Sequence, residues 1–186
     1  MNNNITITDQ ELEAVKILLR SVGEDPQREG LIDTPKRYVK FLKEFCAPKE
    51  FNFTVFENEG SKDEMIIVNN IPFFSICEHH LAPFMGYASI AYIPIDKIVG
   101  LSKIPRTLDH FAQRPQNQER ITQQVADYLK EKLNPKGVAV VLKARHMCVE
   151  MRGCKKHDTW TTTSAMLGAF KENMNTRQEF LSLIKS

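Results

Sequence analysis

The spacing of apolar residues predicts two helices near the start of the chain. Apolar positions recur at helical intervals over residues 8–22, and Thr8 and Glu11 have the spacing of a capping box. A second helix is predicted to begin at Thr34-Pro35, because a threonine N-cap followed by proline at the first helical position is a common helix start.

Short apolar and alternating runs then predict an antiparallel sheet with helices between its parts. Strands are expected at residues 65–68, 73–77, 85–93, 138–152 and 159–163. Helices are expected at about 102–113 and 116–133, and a last helix at Thr176, where Glu179 would complete a capping box. Strands that follow one another in blocks, rather than alternating with helices, indicate the α+β class.

Composition and charge narrow the classes of function. The chain has 186 residues, 42% of them apolar, and a net charge of +2. Its basic residues are dispersed, which disfavours a general nucleic-acid or membrane-surface binder. The start lacks the regions of a secretory signal, and no apolar run approaches the roughly 20 residues that span a bilayer. We therefore expect a cytoplasmic protein whose cysteines are thiols or metal ligands, with Cys46 and Cys154 as inert thiols.

Two clusters of cysteine and histidine carry the strongest chemical signal. One is the Cys-Glu-His-His run at 77–80, around a predicted turn, and the other is the His-Met-Cys run at 146–148. Thiolate and imidazole are the ligands that zinc prefers. Because residues two apart in a strand point to the same face, His146 and Cys148 are expected to face one site.

The residue types leave two kinds of zinc site open. Cys77, His80 and Cys148 could hold zinc and leave His79 and His146 free for acid–base chemistry. Alternatively, His146 could close a structural Cys2His2 site, which has no open position for water.

A polar segment between the clusters suggests an anion-binding pocket. Lys103 and Arg106 could supply the cationic charge that a triphosphate requires. Glu119 could accept two hydrogen bonds from adjacent N–H donors on the guanine edge, donors that adenine lacks. The residues alone equally permit a solvated basic surface and a carboxylate that faces a helix dipole.

In their order and spacing, these motifs closely resemble the GTP cyclohydrolase I family. The resemblance rests on the runs at 34–37, 77–80, 100–104, 113–116, 118–120, 146–148, 152–153 and 175–177. It extends from the first predicted helix to the last. Cys154 departs from the family pattern.

The resemblance implies a zinc enzyme that converts GTP to 7,8-dihydroneopterin triphosphate and formate, the first step of pterin and tetrahydrofolate synthesis. Its zinc ligands would be Cys77, His80 and Cys148, and its catalytic residues would be His79 and His146. Glu119 would anchor the guanine. The other substrate contacts would be Gln118, Ser102, Lys103, Arg106, Arg152, Arg37 and Lys40, the last two reaching the phosphates of a neighbouring subunit.

The resemblance also implies the fold and the assembly. It predicts a single domain with the tunnelling fold, an antiparallel sheet with helices packed on one side. Residues 1–50 would be an N-terminal helical segment, and residues 60–186 the catalytic core. The chain would form a homodecamer with active sites at subunit interfaces, binding GTP but neither nucleic acid nor membrane.

Two other functions remain to be tested. One is a non-catalytic, zinc-binding assembly module. The other is a tunnelling-fold nitrile reductase acting on a deazaguanine, which would require a nicotinamide cofactor and a nucleophilic cysteine but no zinc.

Overall fold

The computed structural model describes residues 5–48, 50–60 and 63–185. These residues form two compact units, the first ending at Ala47 and the second beginning at Pro48. No helix in the described ranges is long and apolar enough to cross a membrane.

Two helices make up the first unit, as predicted. Helix α1 spans Asp9–Ser21 and helix α2 spans Thr34–Phe45. The capping box of α1 is confirmed, since the hydroxyl of Thr8 accepts the N–H of Glu11 and the Glu11 carboxylate accepts the N–H of Thr8. Helix α2 begins one residue before the predicted position, with Asp33 as its N-cap.

The second unit combines a five-stranded sheet with helices. In chain order, its elements are β1 (Val55–Glu57), β2 (Ile66–Cys77), β3 (Pro83–Ile93), β4 (Lys97–Val99), α3 (Lys103–Ala112), β5 (Pro115–Gln116), α4 (Gln118–Leu133), β6 (Gly137–His146), α5 (Met147–Glu150), β7 (Trp160–Gly168), α6 (Ala169–Glu172) and α7 (Met174–Leu183). The sheet order is β5-β2-β3-β6-β7, and β1 pairs separately with β4. All pairings are antiparallel except β2 with β5, which confirms the α+β prediction.

The long helices α3 and α4 cover one face of the sheet, also as predicted. Their apolar residues share a buried cluster with alternate positions of the central strands, among them Val138 and Val140. The residue between these two, Ala139, points to the opposite face and packs with Phe170 and Phe180 of the C-terminal helices. The helices α6 and α7 thus add a second, smaller core on the other face.

One strand replaces two predicted strands at the start of the sheet. Strand β2 runs without interruption from Ile66 to Cys77, and its pairing register shifts between Val68 and Ile71. Asn70 lies inside this irregularity at φ +54°. Asparagine adopts the left-handed region more readily than most residues, so the strand continues past a bulge instead of ending there.

The strand predicted at residues 138–152 is shorter than expected. Strand β6 ends at His146, which lies opposite Phe84, while its partner β3 begins at Pro83. Because proline has no N–H to donate, the ladder has no further donor at that point. After His146 the chain continues into the short helix α5, which contains Cys148. The prediction that His146 and Cys148 share one strand face is therefore wrong.

The start of the last helix also differs from the prediction. Helix α7 is capped by Asn173, whose side chain accepts the backbone N–H groups of Asn175 and Thr176. Thr176 therefore lies within the first turn, and the capping box predicted with Glu179 is wrong. Asparagine is at least as good an N-cap as threonine, because its side chain satisfies the same free N–H groups of the first turn.

Strand direction brings several termini to one end of the sheet, called here the functional end. Strand β2 ends at Cys77, β3 begins at Pro83 and β6 ends at His146. Because β3 is antiparallel to both neighbours, these three termini are adjacent. Strand β5 pairs with the last residues of β2, so helix α4 starts at the same end.

The close approach of β3 and β6 yields a prediction about stability. A Cβ at Gly86 would lie 2.0 Å from the carbonyl oxygen of Lys143 and 2.6 Å from Cα of Ala144. Both are backbone atoms that can move only if the ladder opens. We expect Gly86→Ala to lower the free energy of unfolding by about 1–3 kcal/mol in urea denaturation.

A second glycine provides the control for this prediction. The Cβ added by Gly100→Ala would meet no atom closer than 3.5 Å, an ordinary contact. That variant should keep nearly the wild-type stability. Equal stability of Gly86→Ala and wild type would contradict the pairing of these strands.

Candidate active site

Three potential metal ligands from two distant chain segments meet at the functional end. One ligand atom from each of Cys77, His80 and Cys148 lies within 4.8 Å of the other two. Sγ of Cys77 lies 3.8 Å from Nδ1 of His80. Cys77 ends β2, His80 lies in the following turn and Cys148 lies in α5, so all three depend on the sheet to meet.

Backbone hydrogen bonds fix the turn that carries His80. The N–H of Cys77 donates to the carbonyl of Ala82, and the N–H of Leu81 donates to the carbonyl of Cys77, both at 2.8 Å. Leu81 adopts φ +50°, an uncommon backbone conformation for a branched residue. The tight turn directs the chain back, so that His80 faces the strand end from which it departs.

The chemistry of this donor set fits a divalent metal. Burial raises the pKa of the Cys148 thiol, and the adjacent sulfur of Cys77 raises it further. A cation between the two sulfurs would replace this repulsion with attraction and favour the thiolates that bind metals. Two sulfurs and one imidazole suit zinc, and three protein ligands are the number found in catalytic zinc sites.

His146 stands beside these ligands with its ring held in place. The ring stacks on Phe84 with 4.5 Å between centroids and 7° between planes, because the two residues are directly opposed on β6 and β3. Its Nε2 atom lies 2.8 Å from Oε1 of Gln118. Burial lowers the pKa of His146, although the charge of Glu119 opposes this shift. His146 is not part of the three-ligand group, which disfavours the closed Cys2His2 alternative.

Gln118 determines which nitrogen of His146 carries a proton. Its Nε2 atom donates to the carbonyls of Leu142 and Thr161, each at 3.1 Å, and to the Thr163 hydroxyl at 3.0 Å. Carbonyls only accept, so the amide nitrogen must face them and Oε1 must face His146. His146 therefore donates from Nε2, and its Nδ1 remains the proton acceptor.

Gln118, which is predicted as a substrate contact, has its side chain bonded to the protein in this structure. Gln118 is 1% exposed, and both ends of its amide bond to protein atoms. Helix α4 begins at this residue and places its side chain against β6 and β7, where it bonds to both strands and to His146. A spacing argument could not find this, because the two residues are 28 positions apart in the sequence.

Glu119 has the environment that recognition of a base requires. It is exposed in the first turn of α4 and lines a cavity of about 280 Å³ together with Thr122, Gln123, Thr163, Ser164 and Ala165. Pockets for drug-sized ligands usually measure roughly 300–1,000 Å³. The cavity lies close to the lower end of this range.

The remaining predicted substrate contacts lie on three parts of the chain. Ser102 is the N-cap of α3 and makes no capping hydrogen bond with its side chain, and Lys103 and Arg106 follow in the first turn. Arg152 is exposed just after α5, and its charge acts on the pKa of Cys148 in the direction opposite to burial.

The last two predicted contacts belong to the first unit. Arg37 pairs with Asp33 at 3.1 Å, and Lys40 pairs with Glu44 at 3.7 Å. All four side chains are more than half exposed on α2, where water screens such pairs. Both cations therefore remain available to a ligand.

His79 is an exposed histidine of the first cluster. Its side chain is 66% exposed, and its Nδ1 atom lies 3.8 Å from Sγ of Cys77. The ring centroids of His79 and His80 are 6.3 Å apart. His79 is thus next to the ligand group and open to an incoming molecule.

Two ion pairs that the sequence did not predict support the two halves of the ligand group. Arg145 and Glu150 hold the turn that carries Cys148, with 2.7 Å between Nε and Oε1. Arg120 holds Glu78, between the ligands of the first cluster, with 2.6 Å between Nη1 and Oε2. Hydrogen bonds from Arg120 and Asn117 keep the pKa of the Glu78 carboxyl below its usual value.

Comparisons with known proteins agree with this geometry. The profile of the family described as GTP cyclohydrolase I matches residues 12–185. The GTP cyclohydrolase 1 of Sulfurihydrogenibium sp. is 52% identical over 94% of this chain and 93% of its own length. That of Aquifex aeolicus is 49% identical over 93% and 94%, and that of Campylobacter jejuni is 51% identical over 94% and 94%.

A solved structure gives a more distant likeness. The apo form of the archaeosine synthase QueF-Like superposes with a TM-score of 0.45 at 16% identity, covering 59% of this chain and 97% of its own. The likeness is too weak to inform the function.

The ligand group yields a prediction about metal binding. Metal-free protein should bind one zinc ion per chain, and Cys148→Ser should lose this site because two ligands cannot retain the ion against a chelator. Zinc bound after dialysis, measured by atomic absorption, gives the stoichiometry.

The exposed Cys154 provides the matched control, since it is a cysteine outside the ligand group. Cys154→Ser should bind zinc like wild type. Full zinc occupancy in Cys148→Ser, or its loss in Cys154→Ser, would contradict the assignment.

Proposed function

Because the chain belongs to the GTP cyclohydrolase I family, we propose that it converts GTP to 7,8-dihydroneopterin triphosphate and formate, using zinc bound by Cys77, His80 and Cys148. Membership of this family identifies the chain as an enzyme with GTP cyclohydrolase activity. The metal and the product are the proposed part. The observation that carries them is the meeting of three zinc-type ligands beside the immobilised ring of His146.

A zinc ion in this site would supply Lewis acidity and a water molecule of lowered pKa. Cys77 and Cys148 would hold it as thiolates and His80 as a neutral imidazole. The protein's own residues then have to orient the purine, move protons and accommodate the phosphates.

His146 and His79 are the proton carriers in this proposal. Water adds across the C8–N7 double bond of the guanine, so that C8 gains the hydroxyl and N7 a proton. The C8–N9 bond then breaks as the hydroxyl proton is transferred to N9, leaving a formamide on N7. His146 exchanges protons at Nδ1, because Nε2 is engaged with Gln118. His79 is open to solvent and can exchange protons with water.

Later steps complete the reaction. A second hydrolysis releases formate, the ribose opens and rearranges to a ketose, and the new ring closes with loss of water. In total, two water molecules are consumed and one is released. The half-buried ring of His146 and the exposed ring of His79 suit proton exchange with less open and with more open parts of the substrate, respectively.

Glu119 selects the base in this proposal. Its carboxylate accepts the two adjacent N–H donors of guanine, and the neighbouring cavity holds the ring. Because Glu119 also acts electrostatically on His146, the base would be anchored next to the residue that moves its protons. The triphosphate would extend toward Lys103, Arg106 and Arg152.

We propose in addition that the chain assembles as a homodecamer with active sites at subunit interfaces. Arg37 and Lys40 of one subunit would then contact the phosphates bound to another. The side chains of both residues are more than half exposed on α2, which supports a contact with a group outside their own chain.

The test of the reaction is formate release from GTP by the purified protein, with and without a zinc chelator. We expect formate and a fluorescent pterin in equal amounts, both abolished by the chelator and restored by zinc. Zinc-loaded protein that releases no formate would favour the non-catalytic module. Reduction of a deazaguanine nitrile by zinc-free protein with a nicotinamide cofactor would favour the nitrile reductase.

Replacement of Glu119 tests the recognition of guanine. Glu119→Ala should lower kcat/KM for GTP by at least about 100-fold, because the base loses a bidentate, charged partner. Zinc content should stay at the wild-type value. Steady-state kinetics of formate release measure the effect.

Glu131→Ala is the matched control, since Glu131 lies exposed at the other end of the same helix. It should behave like wild type. Normal GTP turnover by Glu119→Ala would refute the assigned role.

A further inference from the structure

We propose that Glu78 and Arg120 form a clasp that positions the metal-binding turn against the start of helix α4. The proposal rests on the proposed function in one respect, namely that the turn holds zinc and that α4 carries the guanine-binding residue. Neither member of the clasp is a ligand or a catalytic residue. Both are positioning residues for the groups next to them.

The contacts of the Glu78 carboxylate are extensive for a side chain in a turn. Arg120 donates to both oxygens, with 2.6 Å from Nη1 to Oε2 and 3.0 Å from Nη2 to Oε1. Nδ2 of Asn117 donates to Oε1 at 3.1 Å. A two-pronged arginine–carboxylate pair fixes orientation as well as distance, so the turn cannot rotate freely relative to α4.

The backbone and a buried glutamine strengthen the same junction. The N–H of Glu78 donates to the carbonyl of Gln116 at 2.9 Å. Oε1 of Gln116 accepts from Nη1 of Arg120 at 3.0 Å, and its Nε2 donates to Gln124 at 2.7 Å. Gln116 is 1% exposed. The guanidinium of Arg120 is therefore held by Gln116 as well as by Glu78.

Each partner of the clasp is adjacent in sequence to a functional group. Glu78 lies between Cys77 and the two histidines of the turn. Arg120 directly follows Glu119, and Gln118 before it holds His146. The clasp thus joins the part of the site that would bind zinc to the part that would bind guanine and set the ring of His146. A small displacement between these parts would misplace the purine relative to the metal.

The exposure of the pair separates this role from a general contribution to stability. The side chains of Glu78 and Arg120 are 29% and 45% exposed. Ion pairs in such positions add little to global stability, because water screens them. The main consequence of losing the pair should therefore be local, in the turn.

The experiment compares Glu78→Gln with wild type in the full-length, zinc-loaded protein. Glutamine keeps the size of the side chain and removes its charge. Zinc transfer to a chromophoric chelator should become about tenfold faster, as found when residues that support metal ligands are replaced. In steady-state formate release, kcat should fall about tenfold while KM for GTP changes by less than about twofold.

Glu131→Gln is the matched control. It makes the same chemical change in an exposed ion pair on α4, the helix that also carries Arg120. In that pair, Glu131 lies 3.0 Å from Lys132. It should leave zinc transfer and both kinetic constants as in wild type. Equal melting temperatures of the two variants would confirm that the effect of Glu78→Gln is local.

Arg120→Gln removes the other member of the ion pair, and it replaces Glu78→Gln in the experiment if that variant does not fold. It should reproduce the faster zinc transfer, and the double variant should be no worse than either single variant, since both remove one interaction. Zinc transfer within about twofold of wild type in both single variants would overturn the proposal.

The two proposals fail in distinguishable ways. If wild type binds zinc but releases no formate, the proposed reaction fails, and the zinc-transfer rates still decide on the clasp. If wild type binds no zinc at this site, both proposals fall together.

Discussion

The candidate active site depends on the pairing of β3 with both of its neighbours. This pairing places the end of β2, the turn after it and the end of β6 side by side, although Cys77 and Cys148 are far apart in the sequence. It also sets His146 directly opposite Phe84, so the stacking of these two rings follows from the strand register. The absence of a side chain at Gly86 lets the two strands approach at the point where this end of the sheet is formed.

Buried polar groups convert this arrangement of strands into a defined chemical site. The fully bonded amide of Gln118 forces His146 to donate from Nε2 and leaves Nδ1 as the acceptor. Arg145 with Glu150, and Arg120 with Glu78, hold the short segments that carry the sulfur and imidazole ligands. These segments are turns with little regular structure of their own, so their side-chain contacts decide where the ligands lie. The same helix start carries Gln118, Glu119 and Arg120, so in the proposed function the first turn of α4 joins metal binding, proton transfer and base recognition.

The sequence was sufficient to predict the α+β class, because helical periodicity and strand runs are local signals. The motifs indicated the family by resemblance, and that resemblance implied the group of Cys77, His80 and Cys148 that the structure brings together. Prediction from the sequence failed where the outcome depends on a partner distant in the sequence. The end of β6 at His146 is set by Pro83 on another strand, and the continuity of β2 past Asn70 is set by its pairing with β3. The contact of Gln118 with His146 was not predicted, because the sequence position of Gln118 beside Glu119 gives no sign that its side chain lies against β6 and β7. Glu78 and Arg120 were visible as members of motifs, but their pairing became apparent only in three dimensions.

In the proposed site, two cysteines and one histidine from separate segments bind one zinc ion. X-ray absorption at the zinc edge tests this most directly, using zinc-loaded protein in which Cys46 and Cys154 are replaced by serine. We expect the zinc to have two sulfur neighbours at about 2.3 Å and lighter nitrogen or oxygen neighbours at about 2.0–2.1 Å. A zinc shell with one sulfur neighbour or none would contradict the claim, because Cys77 and Cys148 could not then share the ion.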